Sequence, residues 1–420
     1  MFNRLQIPHP RVHLVLGFLA GLVVKYFMLF HMGTFDMQAY HDWGEKALES
    51  GLPNTYHGIY FPFQYEIFEL SAWFARQSGS NFVPVFKLSN LLFDAGAFFL
   101  LLRLLKRRGS NPAYALLYWL HPWFLSVFSL GYIDFHFAFF VLLSLCFLNG
   151  ETTQHYLLAG VPLGLAFLMK PQAQILVVAA FLHAVFHYVR RRSWRPFGML
   201  VFPTALFLGY EGFFATSLFP RLGYRATTVL PLSYLNVTNV MPSLNAQLPN
   251  IWYPIAYLLK RPGDPIYAVS DQIRLLPYMS AKYLAAALVV ALVAFQVFRI
   301  ERAAEATPSD KFIGVFGFSS LAVPLIMTSA HENHLFLGSV FLVLFLAKPF
   351  PLSFRRSGHI LLVIQFLNLF GLYGEHPAWI GQFLRNTYSQ ELGVAYALVS
   401  VTCFALMLQS LLSRQSCGRP

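Results

Sequence analysis

Apolar residues in this chain gather in long runs separated by short polar connections, and the pattern predicts helices that cross a bilayer. A span needs about 20 mostly apolar residues, because roughly 30 Å of hydrocarbon is crossed at 1.5 Å per residue. Runs lie near 12–31, 83–105, 113–130, 135–149, 156–169, 172–189, 197–218, 277–298, 312–329, 334–347, 358–374 and 391–413. They predict an all-α polytopic membrane protein of about twelve transmembrane helices, forming a single transmembrane domain over residues 1–420. The runs at 135–149 and 156–169 are short, which suggests that one of them is broken or buried.

Composition agrees with that pattern. Of the 420 residues, 57% are apolar or aromatic and 11% are charged, against about 25% charged in soluble domains. So much apolar surface does not fit one aqueous core, which excludes a soluble enzyme and a disordered chain. The 44 Phe and 21 Tyr suit a lipid-embedded bundle with aromatic belts. Cys146, Cys403 and Cys417 show neither metal-ligand spacing nor a disulfide framework.

The net charge of +12 raises the question of nucleic acid, but its distribution answers it. Basic residues gather in alternate connections, at Arg4/Arg11, Arg103/Lys106/Arg107/Arg108, Arg190/Arg191/Arg192/Arg195, Arg299/Arg302/Lys311, Lys348/Arg355/Arg356 and Arg414/Arg419. Excess Lys and Arg mark cytoplasmic loops, so both termini are expected inside and no nucleic-acid partner is needed. The first run is long and lacks an A-x-A cleavage pattern, so it reads as an uncleaved helix.

The longer connections then fall on the extracytoplasmic side. Residues 32–82 form a first loop in which Phe61–Phe74 reads as an interfacial helix. Residues 219–276 form a long, proline-rich loop with little periodicity, the kind of segment that carries function.

Ionisable groups beside a membrane are costly and therefore candidates for function. Five clusters share the extracytoplasmic side. Asp36, Tyr40 and Trp43 follow the first helix at i, i+4, i+7 spacing. There Asp36 reads either as a general base toward a hydroxyl or as the N-cap of a helix from Met37. Asp134 and His136 fit contacts to sugar hydroxyls or phosphate, or Asp134 caps the next helix. Lys170, followed by Pro171, marks a helix break; it reads as a point charge for phosphate or as a snorkelling lysine. Asn245, Asn250 and Trp252 combine amides and a ring in a way that suits sugar recognition, with turns and interfacial anchoring as the competing reading. His331 and Glu332 interrupt two apolar runs; the H-E-N-H spacing is wrong for a zinc helix and better fits a phosphate donor oriented by a carboxylate.

Together these stretches carry a resemblance. The first loop from Asp36 to Glu45, with Trp43 seven residues after the acid, resembles the first-loop signature of the glycosyltransferase C superfamily. It looks most like dolichyl-phosphate-glucose-dependent glucosyltransferases of asparagine-linked glycosylation. Ser329-Ala330-His331-Glu332 looks like their late H-E motif. Asn245-Ala246 with Asn250-Ile251-Trp252, Lys170-Pro171-Gln172 and Asp134 resemble stretches in prokaryotic relatives of the second mannosyltransferase of glycosylphosphatidylinositol assembly. Three departures are the extra residues before Asn250 in the Asn-Ala stretch, Tyr60-Phe61-Pro62-Phe63 in place of a Tyr-Pro-Pro stretch, and Asn333 where relatives often carry a basic residue.

The resemblance implies an inverting hexosyltransferase that takes mannose or glucose from a polyprenyl-phosphate donor to a glycan or lipid acceptor at the outer face. Asp36 would be the catalytic base. Lys170, His331, Arg221 and Arg225 would hold the donor phosphate. Asp134, His136, Asn245, Asn250, Trp252, Glu332, Tyr40 and Trp43 would contact substrate. Such a donor carries no diphosphate to neutralise, so no metal or other cofactor is expected. A prokaryotic plasma membrane is the expected location. The alternative class is a transporter or flippase for a lipid-linked or sugar substrate, which tends to show repeated halves; no internal repeat is visible here.

Overall fold

The computed structural model describes residues 10–56, 59–215, 242–302, 307–373 and 389–414. Within them the chain is almost wholly helical. In order come α1 (Pro10–Met28), α2 (Asp36–Ser50), α3 (Leu52–Thr55), α4 (Pro62–Ser78), α5 (Phe82–Arg107), α6 (Ala115–Leu120), α7 (Pro122–Leu130), α8 (Asp134–Phe147) and α9 (Thr153–Phe167). There follow α10 (Gln174–Arg191), α11 (Gly198–Ala215), α12 (Trp252–Leu259), α13 (Ala281–Arg302), α14 (Pro308–Ile326), α15 (Phe336–Leu346), α16 (Leu352–Tyr373) and α17 (Gln390–Arg414).

Each of the twelve apolar runs folds at least partly as helix. Among the described residues six helices are long and apolar enough to cross a membrane, or seven if Pro112–Leu120 and Pro122–Leu130, bent by 46°, form one span. Two of the remaining helices are short. Helices α8 and α15 have 14 and 11 residues, about 21 Å and 17 Å of rise, too little for the hydrocarbon core. All 11 residues of α15 are buried, so its apolarity serves packing against protein rather than lipid. By contrast α1 turns Val12, Val15, Leu16, Leu19, Val23 and Phe27 outward, as a lipid-facing helix must.

The bundle has two chemically distinct ends. At one, arginines close the helix termini. Arg107 donates to the Leu145 and Cys146 carbonyls, while Arg108 pairs with Asp310 at 2.8 Å and donates to the Leu344 carbonyl. At the other end the loops knit together through their backbones. Thr34 N–H meets the Leu130 carbonyl at 3.1 Å, Phe61 N–H the Met169 carbonyl at 3.2 Å, and Leu248 N–H the Ala330 carbonyl at 3.3 Å.

Two helices cover that second end. The 61–74 stretch folds as part of α4, which leaves Leu70, Trp73 and Phe74 exposed and packs across α2. The crossing is close because Gly44 lacks a side chain: a Cβ there would stand 2.5 Å from the Phe68 carbonyl oxygen. Of the long loop, residues 242–276 are described and 219–241 lie outside the described residues. The described part departs from an all-helical reading, since Arg274–Leu276 and Met279–Ser280 form a small antiparallel hairpin. Cys146 and Cys403 are free and buried, and Cys417 lies outside the described residues.

Candidate functional site

Asp36 opens α2, one residue later than a cap would stand. The capping position is Phe35, which has helical backbone angles and makes no side-chain cap bond, so the N-cap reading of Asp36 is not what the chain adopts. The carboxylate instead takes a hydrogen bond from Thr34. The turn before it is seated on the 128–131 loop through two left-handed glycines, Gly33 (φ +82°) and Gly131 (φ +79°). A Cβ on Gly131 would collide with Met37 Sδ, so only glycine lets the two turns approach. Beneath them the buried Lys87 of α5 donates to the Met28, Ser129 and His31 carbonyls, satisfying acceptors that the ends of α1 and α7 leave open.

Asp134 and Lys170 form a buried pair. Lys170 stands in extended backbone between α9 and α10, as a residue before proline prefers, and its Nζ lies 2.8 Å from Asp134 Oδ1. Asn333 donates to the other carboxylate oxygen at 2.9 Å. Lys170 is 3% exposed, so it does not snorkel. Nor does Asp134 cap its helix: the cap residue is Ile133. The Phe61–Met169 and Phe63–Leu168 backbone bonds carry the first loop to this pair.

Glu332 completes the ring of charges. Its Oε1 accepts a 2.5 Å hydrogen bond from Tyr132, Tyr373 at the end of α16 also bonds it, and His331 Nδ1 stands 3.9 Å from Oε2. That Oε2 is buried and makes no hydrogen bond among the described residues. A buried acceptor left open is costly and marks a place where a donor is wanted.

These loops converge on Asp36, whose half-buried carboxylate lies within electrostatic reach of Glu332, His331 and Lys170. Burial pushes its pKa above the usual carboxylate range, and the neighbouring Glu332 adds to the rise. His331, Lys170 and the Thr34 hydrogen bond offset part of it. The Tyr60 phenol sits among Asp36, Asp134 and Glu332, and burial raises its pKa well above that of a free tyrosine. Tyr40 approaches it, oxygen to oxygen, at 3.3 Å. Tyr40 also stacks on Phe68 at 4.6 Å and Trp43 on Tyr65 at 5.5 Å, an aromatic bed that fixes α2 under its first carboxylate.

Asn245, Asn250 and Trp252 serve this ring through backbone. Asn245 Nδ2 donates to the Leu248 carbonyl and to Asn250 Oδ1, both at 2.8 Å. Asn250 donates to the Pro324 and Met327 carbonyls and accepts from Trp252 N–H, while the Trp252 indole donates to the Ile326 carbonyl. The loop so braced pairs Ala246 and Gln247 with His331 in isolated β-bridges. Gln247 (φ +72°) and Ser329 (φ +55°) hold left-handed backbone there, and such strain gathers at functional sites.

His136 turns elsewhere. It is buried between α4 and α5, with Gln64 Oε1 at 3.2 Å and Ser89 Oγ at 3.3 Å on its two ring nitrogens. Arg221 and Arg225 lie outside the described residues.

No family model matches the chain, and no curated protein matches it. Two crystal structures of ArnT from Cupriavidus metallidurans are similar over 94% of this chain and 76% of theirs. The one bound to undecaprenyl phosphate has 13% identity and a TM-score of 0.48; the apo state has 15% and 0.37. At these values the likeness decides nothing about chemistry, which rests on the residues just described.

Those residues make a half-open carboxylate flanked by a partly exposed imidazole, a buried ammonium and three tyrosines. A carboxylate whose pKa is raised toward neutrality is a better proton acceptor. Tyr60, Tyr132, Tyr373 and Asn333 were not singled out as site residues from the sequence; only tyrosines beside charged clusters hinted at them.

Proposed function

We propose that the chain is an inverting glycosyltransferase of the glycosyltransferase C type. In this reading it moves a hexose, mannose or glucose, from a polyprenyl-phosphate donor to a hydroxyl of a glycan or lipid acceptor, at the outer face of a prokaryotic plasma membrane. The observation that carries the reading is the convergence of Asp36 with His331, Glu332 and Lys170 at the end of the bundle opposite the arginines. Its support from sequence is the order of the motifs and the placement of basic loops on the other side.

The steps follow from the charges. Asp36 takes the proton of the acceptor hydroxyl as its oxygen attacks the anomeric carbon. The bond to the lipid phosphate breaks on the opposite face, so the configuration inverts. The leaving phosphate gains negative charge, and His331 with Lys170 stabilises it, aided by Arg221 and Arg225. Fixed donors aimed at developing charge supply much of the rate enhancement in many enzymes. Asp134 holds Lys170 and Glu332 steadies His331. Tyr40, Trp43 and the Asn245–Trp252 loop shape the surroundings of the sugar, while His136, held by Gln64 and Ser89, supports α8 from behind. The donor tail lies in lipid while the acceptor enters from water, which explains why a single-ended site suffices.

The test is incubation of the purified full-length chain with polyprenyl-phosphate mannose and glucose plus extracted membrane acceptors. Transfer of sugar to acceptor with release of polyprenyl phosphate supports the reading. Movement of the lipid-linked sugar between leaflets of a proteoliposome without transfer would favour a flippase instead. Labelling of a single cysteine at position 331 from the outer side tests the orientation.

A further inference from the structure

A cluster of side chains of metal-ligand type sits at the arginine-rich end and is unused by the reaction above. His183 and His187 stand one turn apart on α10, their rings stacked 28° from parallel with centroids 6.0 Å apart. Glu301, one residue before the end of α13, reaches between them. His183 Nδ1 is 3.0 Å from Glu301 Oε1 and His187 Nδ1 is 3.3 Å from Oε2. One ligand atom from each of the three lies within 4.8 Å of the others, and all three residues are buried.

The decisive detail is a missing hydrogen bond. His183 Nδ1 and Glu301 Oε1 face each other and are shut from solvent, yet neither makes a hydrogen bond among the described residues. Two buried ligand-type atoms 3.0 Å apart that do not hydrogen-bond each other are spaced like two ligands of one small cation, whose bonds run about 2.0–2.2 Å. We propose that His183, His187 and Glu301 bind one divalent transition-metal ion of the zinc class, tying α10 to α13.

The donor set fixes the class of ion. Two imidazoles and one carboxylate suit zinc, cobalt or iron(II) and disfavour calcium and magnesium, which take oxygen. Two histidines at i and i+4 on one helix present both nitrogens to the same side. Three protein ligands leave one position for water. The surroundings set the competition. Lys311 Nζ, from the first turns of α14, stands 3.5 Å from Glu301 Oε1 and contends with the metal for the carboxylate. Phe312 packs on the His183 ring at 4.3 Å and limits its rotation. Arg190 engages the Glu301 backbone carbonyl, leaving the carboxylate to the histidines and Lys311.

The experiment uses the full-length chain in detergent, purified on a histidine-free tag and stripped with chelator. It is titrated with Co(II), read by visible d–d absorption, and separately loaded with Zn(II) and desalted for metal analysis. The expected result is one tightly held equivalent and tetrahedral-type cobalt bands. His183→Ala and Glu301→Gln should each weaken binding by about tenfold or more. Lys311→Met, which keeps all three ligands, should tighten it. A wild-type chain that shows no cobalt bands and retains no zinc overturns the proposal. So does binding of equal strength in a His183→Ala/His187→Ala double variant. Should the ligand variants not fold, Lys311→Met still decides: unchanged or weaker binding would place the metal elsewhere.

Discussion

Lys170 and Asp134, 36 residues apart, meet at 2.8 Å with both side chains almost wholly buried. Each justifies the other: an ammonium or a carboxylate alone at that depth would be heavily penalised, and Asn333 completes the carboxylate's hydrogen bonding. The pair therefore fixes the connection before α10 against the start of α8, and with it the place of the ammonium whose charge reaches Asp36.

Breaking this pair should cost more than removing it. Lys170→Met is expected to destabilise the fold by about 3–5 kcal/mol, since it strands Asp134. Lys170→Met combined with Asp134→Leu should recover much of that loss. Thermal unfolding in detergent measures both. Sugar transfer should stay lost in the double variant, because the cation is gone.

Gly44 should tolerate no side chain. Gly44→Ala places a methyl against the Phe68 carbonyl, forcing α2 and α4 apart at about 1–3 kcal/mol. A loss of unfolding temperature together with reduced transfer is expected, since α2 carries Asp36.

Asn250 braces the loop that pairs with His331, donating to the Pro324 and Met327 carbonyls. Asn250→Ala removes those donors and should cost about 1–3 kcal/mol for the acceptors left open. Faster proteolysis or hydrogen exchange across 242–251 and 327–333 would report the loosened loop.

The pH profile follows from Asp36. Burial and Glu332 raise its pKa above the ordinary carboxylate value of about 3.9. As the base must be ionised, transfer is expected to be full above that raised pKa and to fall as pH drops through it. Glu332→Gln removes the neighbouring negative charge and should move the acid limb to lower pH. An acid limb that stays in place in Glu332→Gln would show that another group titrates.

Much of the fold was legible because apolar runs declare helices: all twelve became at least partly helical. The number of spans is less legible, because a run of apolar residues does not say which surroundings it meets: α8 and α15 are short and largely buried against protein. Asp36, Asp134, Lys170, His331 and Glu332 stood out because a charge beside an apolar run is costly, and the structure brings all five to one end. Tyr60, Tyr132 and Tyr373 did not stand out. A tyrosine at the end of an apolar run looks like an interfacial anchor, and only the folded loops reveal Glu332 as the partner of two of them. The His183–Glu301 pairing was illegible for the same reason: it joins helices more than a hundred residues apart.

The most direct measurement is the transfer rate of Asp36→Asn against wild type, with polyprenyl-phosphate hexose as donor. The amide keeps the shape and cannot take a proton, so the rate is expected to fall by about 10²–10⁴-fold with folding and donor binding retained. Full transfer by Asp36→Asn would show that this carboxylate is not the base.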